Sequence, residues 1–302
     1  MQQTDGSLPY GLPQTVAPGL RRILAPNPSP MTGHGTNSYL LGTRDIALID
    51  PGPDDDEHLT AILAALGPGT RISHIFVTHA HRDHSALARR LADTVSAPIL
   101  AFGDAFAGRS PLMEDLARRD RRGGGEGSDT TFFPDETIAD GEIIETADWT
   151  LTALHTPGHF GNHICLGWGS HLFSGDHVMG WSTSVVAPPD GDMAAYMSSL
   201  DKIDRQKAST LWPGHGDPVR EPTKRISDLR THRRARAAAI LAELQKGQAS
   251  ANDLARAIYT DTPKSLLGAA GYNVFGHLIE MMQLNLVEPQ GVLSIDVPFK
   301  AS

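Results

Sequence analysis

Histidine and aspartate residues are concentrated in one short segment, residues 78–84, which contains His79, His81, Asp83 and His84. Neutral imidazole and carboxylate groups together suit a zinc ion, and zinc sites without cysteine ligands are more often catalytic than structural. Because His79 and His81 alternate, an extended chain would direct both rings to the same side. The segment therefore predicts a catalytic metal site.

Three more side chains of the same kind, His159, Asp176 and His215, each follow a predicted strand. A single histidine or aspartate at a strand end is usually structural, so each of the three is weak evidence by itself. The strands of an open α/β sheet, however, bind their ligands in a crevice at their carboxyl ends. All three fragments in one chain with residues 78–84 therefore predict a common site of seven side chains.

The elements that would position these groups include both strands and helices. Apolar runs predict buried strands at residues 45–50 and 72–78, and an apolar stripe that includes Leu59, Ile62 and Leu66 predicts a helix between them. A strand, a helix and a strand in succession indicate an α/β fold. Further strands are predicted at residues 19–25, 36–41, 98–102, 143–146, 150–155, 163–168, 171–174 and 209–212, and further helices at residues 85–94 and 193–203.

The pattern changes after residue 220, which predicts a catalytic domain at residues 1–220 and a C-terminal unit at residues 221–302. Within that unit we expect a long helix at residues 221–245, a short helix opened by a capping box of Ser250 and Asp253, and a longer helix carrying Val274 and Leu278. Strands at residues 286–288 and 292–297 would follow as a hairpin. Two helices and a hairpin are the pattern of a small winged-helix domain.

Two other segments interrupt the regular elements. Residues 1–18 are rich in Pro, Gly and Gln and predict an extended lead-in. Residues 103–135 contain several arginines followed by consecutive glycines at 123–125, which predicts a solvated loop, with a mobile lid as the alternative.

The order His-x-His-x-Asp-His, followed by His, Asp and His on later strands, resembles the metallo-β-lactamase superfamily. A wider match, from residues 27–40 to the winged-helix tail, is similar to a β-lactamase-like group that includes an endoribonuclease and thioesterases. The resemblance implies an αββα sandwich that holds two zinc ions per chain. It assigns His79, His81 and His159 to one ion, Asp83, His84 and His215 to the other, Asp176 to a bridge between them, and buried Asp50 to a brace of the metal loop.

The sequence departs from the pattern of that group at several positions near the metal motif. Arg82 stands where proline is usual, and Ala86-Leu87 replaces a common glycine pair. Gly161-Asn162 stands where acidic residues are frequent. The predicted ligands are intact, so these departures bear on the substrate.

The implied reaction uses a hydroxide shared by two cations roughly 3.5 to 4 Å apart. The hydroxide would be the nucleophile, and a metal would stabilise the oxyanion. Asp83 and Asp176 are the expected catalytic residues, and Asp83 would take up a proton as the intermediate collapses.

Four functions fit the motif. A small ester, lactone or thioester as substrate is favoured by the acidic balance and by apolar residues Met179, Trp181 and Val185 beyond Asp176. Cleavage of single-stranded RNA is the alternative, supported by a basic stretch on the predicted helix at residues 221–245. β-Lactam hydrolysis and a non-enzymatic, metal-sensing regulator are the other two. The basic stretch comprises Lys224, Arg225, Arg230, Arg233, Arg234 and Arg236.

Composition limits the partners and the location. The net charge of −9 over 302 residues disfavours nonspecific attraction to polyanions. The N-terminus carries no evident secretory signal, and no apolar run is long enough to span a bilayer, which predicts no membrane partner. Cys165 is the only cysteine and predicts a buried structural thiol in a cytoplasmic protein. The resemblance also implies that the C-terminal domain packs near the active site or forms a homodimer.

Overall fold

The computed structural model describes residues 9–119 and 127–302. The predicted arginine and glycine cluster at residues 121–125 lies outside the described residues, as does the start of the predicted lead-in. Within the described ranges, no helix combines the length and the apolar character needed to cross a membrane.

The first sheet has seven described strands, which follow one another in chain order. The first four are antiparallel, and the remaining three join in parallel. The strands are β1 (Gln14–Ala17), β2 (Leu20–Leu24), β3 (Asn37–Leu41), β4 (Asp45–Ile49), β5 (Arg71–Phe76), β6 (Ile99–Ala101) and β7 (Glu136–Thr137). β1 lies in the segment for which the composition predicted only a lead-in.

The second sheet has the spatial order β12-β11-β10-β9-β8. β8 with β9, β9 with β10 and β10 with β11 pair antiparallel, whereas β12 pairs in parallel with β11. The strands are β8 (Ile143–Glu145), β9 (Thr150–His155), β10 (Ile164–Trp168), β11 (His171–Gly175) and β12 (Thr210–Pro213).

Helices cover the outer face of each sheet, and their packing explains why residues 46–49 of β4 are all apolar. Ile46 and Leu48 pack with helices α1 (Asp56–Ala64) and α3 (Ala88–Val95), whereas Ala47 and Ile49 pack against the second sheet. A strand that is buried on both faces has no need of polar alternation. On the far side, α5 (Met193–Arg205) packs on the second sheet. The layers are helix, sheet, sheet and helix, which confirms the predicted αββα sandwich.

The C-terminal unit has a core of its own. It comprises α6 (Pro222–Leu244), α7 (Ala251–Ile258), a short 3-10 helix (Lys264–Leu266), α8 (Leu267–Gln283) and the antiparallel strands β13 (Val287–Pro289) and β14 (Phe299–Ala301). The predicted capping box of Ser250 and Asp253 is present at the start of α7.

α6 belongs to two hydrophobic cores. Ile226 and Leu229, near its start, pack with the second sheet and α5. Ile240 and Leu244, near its end, pack with α7 and α8. The predicted domain boundary at residue 220 precedes this helix and stays a prediction.

One predicted helix begins later than expected, and one predicted strand is wrong. The helix predicted at residues 85–94 is α3, which is separated from α2 (Arg82–Ser85) because the Leu87 amide donates to Gly52 O instead of continuing the ladder. The second hairpin strand is β14 rather than residues 292–297. Those residues turn, with the Val297 amide donating to Ser294 O, while their apolar side chains pack against the C-terminal core.

Part of the predicted loop at residues 103–135 is helical. α4 (Pro111–Arg119) buries Met113 and Leu116 against the C-terminal core. Apolar contacts therefore anchor this part of the insertion to the C-terminal unit.

Candidate metal centre

The seven predicted side chains lie at one edge of the sandwich, where strands of both sheets end. Residues 78–84 follow β5, and His159 follows β9. Asp176 follows β11, and His215 follows β12. The structure brings all seven together, as the shared position at strand ends predicted.

Three histidines form the first group that could hold a metal ion. His79 Nε2 lies 2.8 Å from His81 Nδ1, and His81 Nδ1 lies 3.1 Å from His159 Nε2. Their nitrogen atoms point toward a common centre.

A second group combines Asp83, His84 and His215. Asp83 Oδ2 lies 3.4 Å from His84 Nε2 and 3.2 Å from His215 Nε2. This set offers one carboxylate oxygen and two ring nitrogens, a donor set that suits zinc.

Asp176 lies between the two groups. Its Oδ1 is 3.5 Å from His84 Nε2, and its Oδ2 is 3.2 Å from His215 Nε2 and 3.8 Å from His159 Nε2. His79, His84 and Asp176 also form a third set of groups that could share an ion. One carboxylate therefore reaches both groups.

The tautomer of three of these histidines follows from their outer hydrogen bonds. Nδ1 of His159 lies 2.6 Å from Val185 O, and Nδ1 of His215 lies 3.0 Å from Gly35 O. Nδ1 of His84 lies 2.9 Å from a carboxylate oxygen of Asp50. Carbonyl and carboxylate oxygens only accept, so each Nδ1 carries the proton and each Nε2 can present its lone pair to the site.

Charge is distributed unevenly across the two groups. Burial lowers the pKa of His81 to about 3 and holds the pKa of His79 well below its usual value. Burial opposes ionisation of Asp176, but the neighbouring His215 and His84 keep its pKa well below the ordinary range. Burial likewise opposes protonation of His215, yet the carboxylate of Asp176 raises its pKa to about 10. At neutral pH the metal-free site thus has neutral rings at His79 and His81, and carboxylates paired with a protonated His215 in the second group; a bound cation would displace the Nε2 proton of His215.

Two atoms of the site are buried without a hydrogen-bond partner among the described residues, His84 Nε2 and Asp176 Oδ1. An unsatisfied buried polar atom costs about 1–3 kcal/mol. A cation between them would satisfy both atoms, so the donor set fits the metal that the motif predicts.

Comparison with known proteins places the whole chain in a family. A model described as "Metallo-beta-lactamase superfamily" matches residues 31–215. The chain belongs to the metallo-beta-lactamase superfamily. A second model, "Beta-lactamase associated winged helix domain", matches residues 250–292 and confirms the predicted type of C-terminal domain.

Relatives of this superfamily match the chain over most of its length. "Beta-lactamase-like protein 2 homolog" from Drosophila melanogaster is 33% identical over 86% of this chain and 86% of its own. "Atrochrysone carboxyl ACP thioesterase" from Aspergillus chevalieri is 28% identical, and the match covers 82% of this chain and 73% of that protein. A beta-lactamase domain protein from Burkholderia ambifaria has the same fold, with a TM-score of 0.80 at 20% identity, covering 99% of this chain and 96% of its own. Membership of the superfamily, with the His and Asp groups, indicates a hydrolase.

Asp50 braces the metal loop, as the superfamily resemblance implied. Its Oδ1 accepts the Thr78 amide at 2.8 Å, and its Oδ2 accepts the Thr78 hydroxyl at 2.9 Å. The same Oδ2 accepts from Nδ1 of His84. One buried carboxylate thus fixes both the start of the loop and the orientation of one ring.

Two asparagines hold the backbone of the site. Asn162 Oδ1 accepts a hydrogen bond from the Ala80 amide, within the metal motif, at 3.2 Å. Asn162, which stands where related proteins often have an acidic residue, therefore supports the backbone of the metal loop. Asn37 Nδ2 donates to the carbonyl oxygens of Pro213 and Gly216, on either side of His215. Asn37 therefore caps backbone carbonyl groups on both sides of His215.

Two further side chains of this region, His163 and Cys165, are buried. His163 is buried beside the His79 ring, with 5.2 Å between the ring centroids, and its Nδ1 contacts Thr156 Oγ1. It supports a ring of the site without belonging to any of the three groups. Cys165 is fully buried, and burial raises the pKa of its thiol to about 12, which confirms a structural thiol. Sequence reasoning missed two supporting contacts: the Ser184 hydroxyl donates to Asp176 O and His177 O, and the Val185 carbonyl accepts from His159.

Proposed function

We propose that this protein is a binuclear, zinc-dependent hydrolase of a small thioester, ester or lactone. The observation that carries the proposal is the inward orientation of ring nitrogens and carboxylates from four separate segments of the chain. Under this proposal His79, His81 and His159 hold one ion, and Asp176 bridges. The second ion is held by Asp83, His84 and His215.

Two ions bound there would lower the pKa of a shared water toward 7 and polarise the substrate carbonyl. The chain's own contribution is orientation and proton handling. The Asp83 side chain is 26% exposed, compared with 10% for Asp176, so a substrate has more access to Asp83. Burial opposes ionisation of Asp83, but the adjacent His84 and His215 keep its pKa well below the usual range. Asp83 is therefore anionic at neutral pH. Under this proposal it would take the proton of the attacking hydroxide as the bond to the leaving group breaks and pass that proton to the leaving group, and its low pKa would favour the second transfer.

An exposed indole supports a small apolar substrate. Trp181 is 46% exposed and lies over two glycines, one of which directly follows His215. A Cβ at Gly216 would come within 2.5 Å of Trp181 Cδ1, and one at Gly33 within 3.3 Å of Cζ2, so bulkier residues would displace the ring. The printed name of the Aspergillus chevalieri relative makes a thioester the first substrate class to test.

The basic stretch on α6 gives little support to RNA cleavage. Arg225 and Arg233 donate to backbone carbonyl oxygens, Arg230 pairs with two aspartates and Lys224 pairs with a third. Arg236 lies over the Tyr259 ring, 4.4 Å from its centroid. Side chains with partners inside the chain have less freedom to bind phosphates.

Metal analysis with a substrate screen tests the proposal. We expect about two zinc equivalents per chain and hydrolysis of thioesters, lactones or esters in preference to β-lactams and short single-stranded RNAs. Asp83→Asn should lower turnover while metal content is retained at saturating zinc, because the amide oxygen can still serve as a ligand but cannot take up the proton. A chain that binds no divalent metal refutes the binuclear assignment, and cleavage of RNA alone refutes the substrate class.

A further inference from the structure

His159 depends on a segment that the winged-helix domain holds in place. The Val185 carbonyl accepts the Nδ1 proton of His159 at 2.6 Å, and this bond directs Nε2 toward the other ligands. The side chain of the preceding residue, Ser184, donates to the carbonyl oxygens of Asp176 and His177. The segment formed by Ser184, Val185 and Val186, here called the ligand-support segment, therefore contacts two of the proposed ligand positions.

The outer side of the ligand-support segment is bound by two residues of the C-terminal unit. Asn273 Oδ1, on α8, accepts the Val186 amide at 3.0 Å. Arg233, on α6, donates to the Ser184 carbonyl through Nη2 and to Asn273 Oδ1 at 3.2 Å through Nη1. Asn273 Nδ2 donates to Ala269 O at 3.2 Å, so the amide is oriented with its oxygen toward the segment.

Burial and close packing show that these contacts are specific. Arg233 is 2% exposed, and its guanidinium lies 5.0 Å from the centroid of the Tyr196 ring. In the described part of the chain no carboxylate pairs with it, so an amide oxygen and a carbonyl oxygen accept from its two terminal nitrogens, while its Nε has no hydrogen-bond partner there. α8 also comes very close to the segment, because a Cβ at Gly276 would lie 3.2 Å from Val186 O.

We propose that Asn273 and Arg233 are positioning residues of the metal site, through which the winged-helix domain sets the place of His159. The inference rests on the proposed binuclear function. Loss of the Asn273 oxygen frees the Val186 amide and one Arg233 donor, and the Val185 carbonyl then no longer holds Nδ1 of His159 in one position. The three-histidine group should respond first, because Ser184 reaches Asp176 only at its backbone carbonyl and the outer hydrogen bonds of His84 and His215 lie elsewhere.

Metal affinity of Asn273→Ala tests this inference. Changes to groups that orient a ligand weaken metal binding by about 10- to 100-fold. Asn273 acts one step further away, so we expect about tenfold weaker binding of one zinc equivalent and an unchanged second equivalent, measured by chelator competition. The visible spectrum of the Co²⁺ protein should change as well. Asn273→Asp keeps an acceptor for both donors and should restore most of the affinity.

Val274→Ala is the matched control. Val274 is fully buried in the C-terminal core, so its truncation destabilises the same helix without touching the ligand-support segment. Equal weakening in this control, unchanged binding in Asn273→Ala, or equal loss at both equivalents would each overturn the inference. If Asn273→Ala does not fold, Arg233→Lys provides the same comparison. Failure of the wild-type protein to bind two metals would instead contradict the proposed function.

Discussion

Replacement of Asp50 by asparagine removes one charge from beneath the metal site and little else. The Asp50 carboxylate is 2% exposed and accepts three hydrogen bonds, two from Thr78 and one from His84. An asparagine amide has a single oxygen. Whichever way it turns, its NH₂ group therefore faces a donor, either the Thr78 amide or Nδ1 of His84. Asp50 has a φ of 54°, a conformation that asparagine also tolerates, so the backbone should not be strained.

The expected loss falls on the ion held by Asp83, His84 and His215. When the amide NH₂ faces His84, the ring keeps a hydrogen bond only by moving its proton to Nε2, which removes the lone pair a metal needs. Loss of such an orienting partner lowers metal affinity by about 10- to 100-fold, equivalent to about 1.4–2.7 kcal/mol. We expect one zinc equivalent to weaken by this amount in a titration with a competing chelator.

Asp148→Asn is the control for this prediction. Asp148 also accepts from two backbone amides and one threonine hydroxyl, but these belong to Thr43, Arg44 and Asp45, away from the metal site. Its replacement should leave both zinc affinities within twofold of the wild-type values. If Asp50→Asn binds both ions as tightly as wild type, or if the control weakens binding equally, the bracing argument is refuted.

Three further predictions concern the metal, pH and the substrate. Chelation should abolish hydrolysis and, relative to protein with zinc at 100 times its Kd, lower the free energy of unfolding by about 2.7 kcal/mol for each ion bound, measured with urea; unchanged activity would contradict a metal mechanism. Burial lowers the pKa of His58 from 6.5 to about 4. Between pH 6.5 and 4 the His58 ring is therefore protonated in the unfolded chain but not in the folded one, and the metal-free wild type should lose up to about 3 kcal/mol of its free energy of unfolding. The His58→Gln variant should lack this pH-dependent loss. If the variant and the wild type give parallel curves of unfolding free energy against pH, the prediction is refuted. Trp181→Ala should raise KM about 2- to 10-fold with little change in kcat, whereas Trp181→Phe should not; a loss confined to kcat would exclude substrate contact.

The sequence predicted the ligand residues of the site better than the residues that hold those ligands in place, and the reason is physical. His79, His81, Asp83 and His84 are neighbours, and the other ligands follow strands whose apolar runs are legible. Contacts such as that between Arg233 and Ser184 span 49 residues and use a backbone carbonyl, which has no signature in side-chain type. These supports therefore require the three-dimensional structure.

The wrong hairpin strand has a different cause. Val292, Leu293, Ile295 and Val297 are spaced like the residues of a strand, and periodicity alone cannot say whether apolar groups pack in a sheet or in a turn. In the structure Leu293, Ile295 and Val297 cover the helices of the C-terminal core while the backbone turns, and the pairing moves to Phe299–Ala301.

Because α6 contributes to both hydrophobic cores, the two units of this chain are not interchangeable modules. A fragment truncated at residue 220 would lose Ile226 and Leu229 and expose the sheet surface that they cover. Such a fragment would be prone to aggregate, and a foreign C-terminal domain could replace the native one only if its first helix reproduced the same apolar stripe.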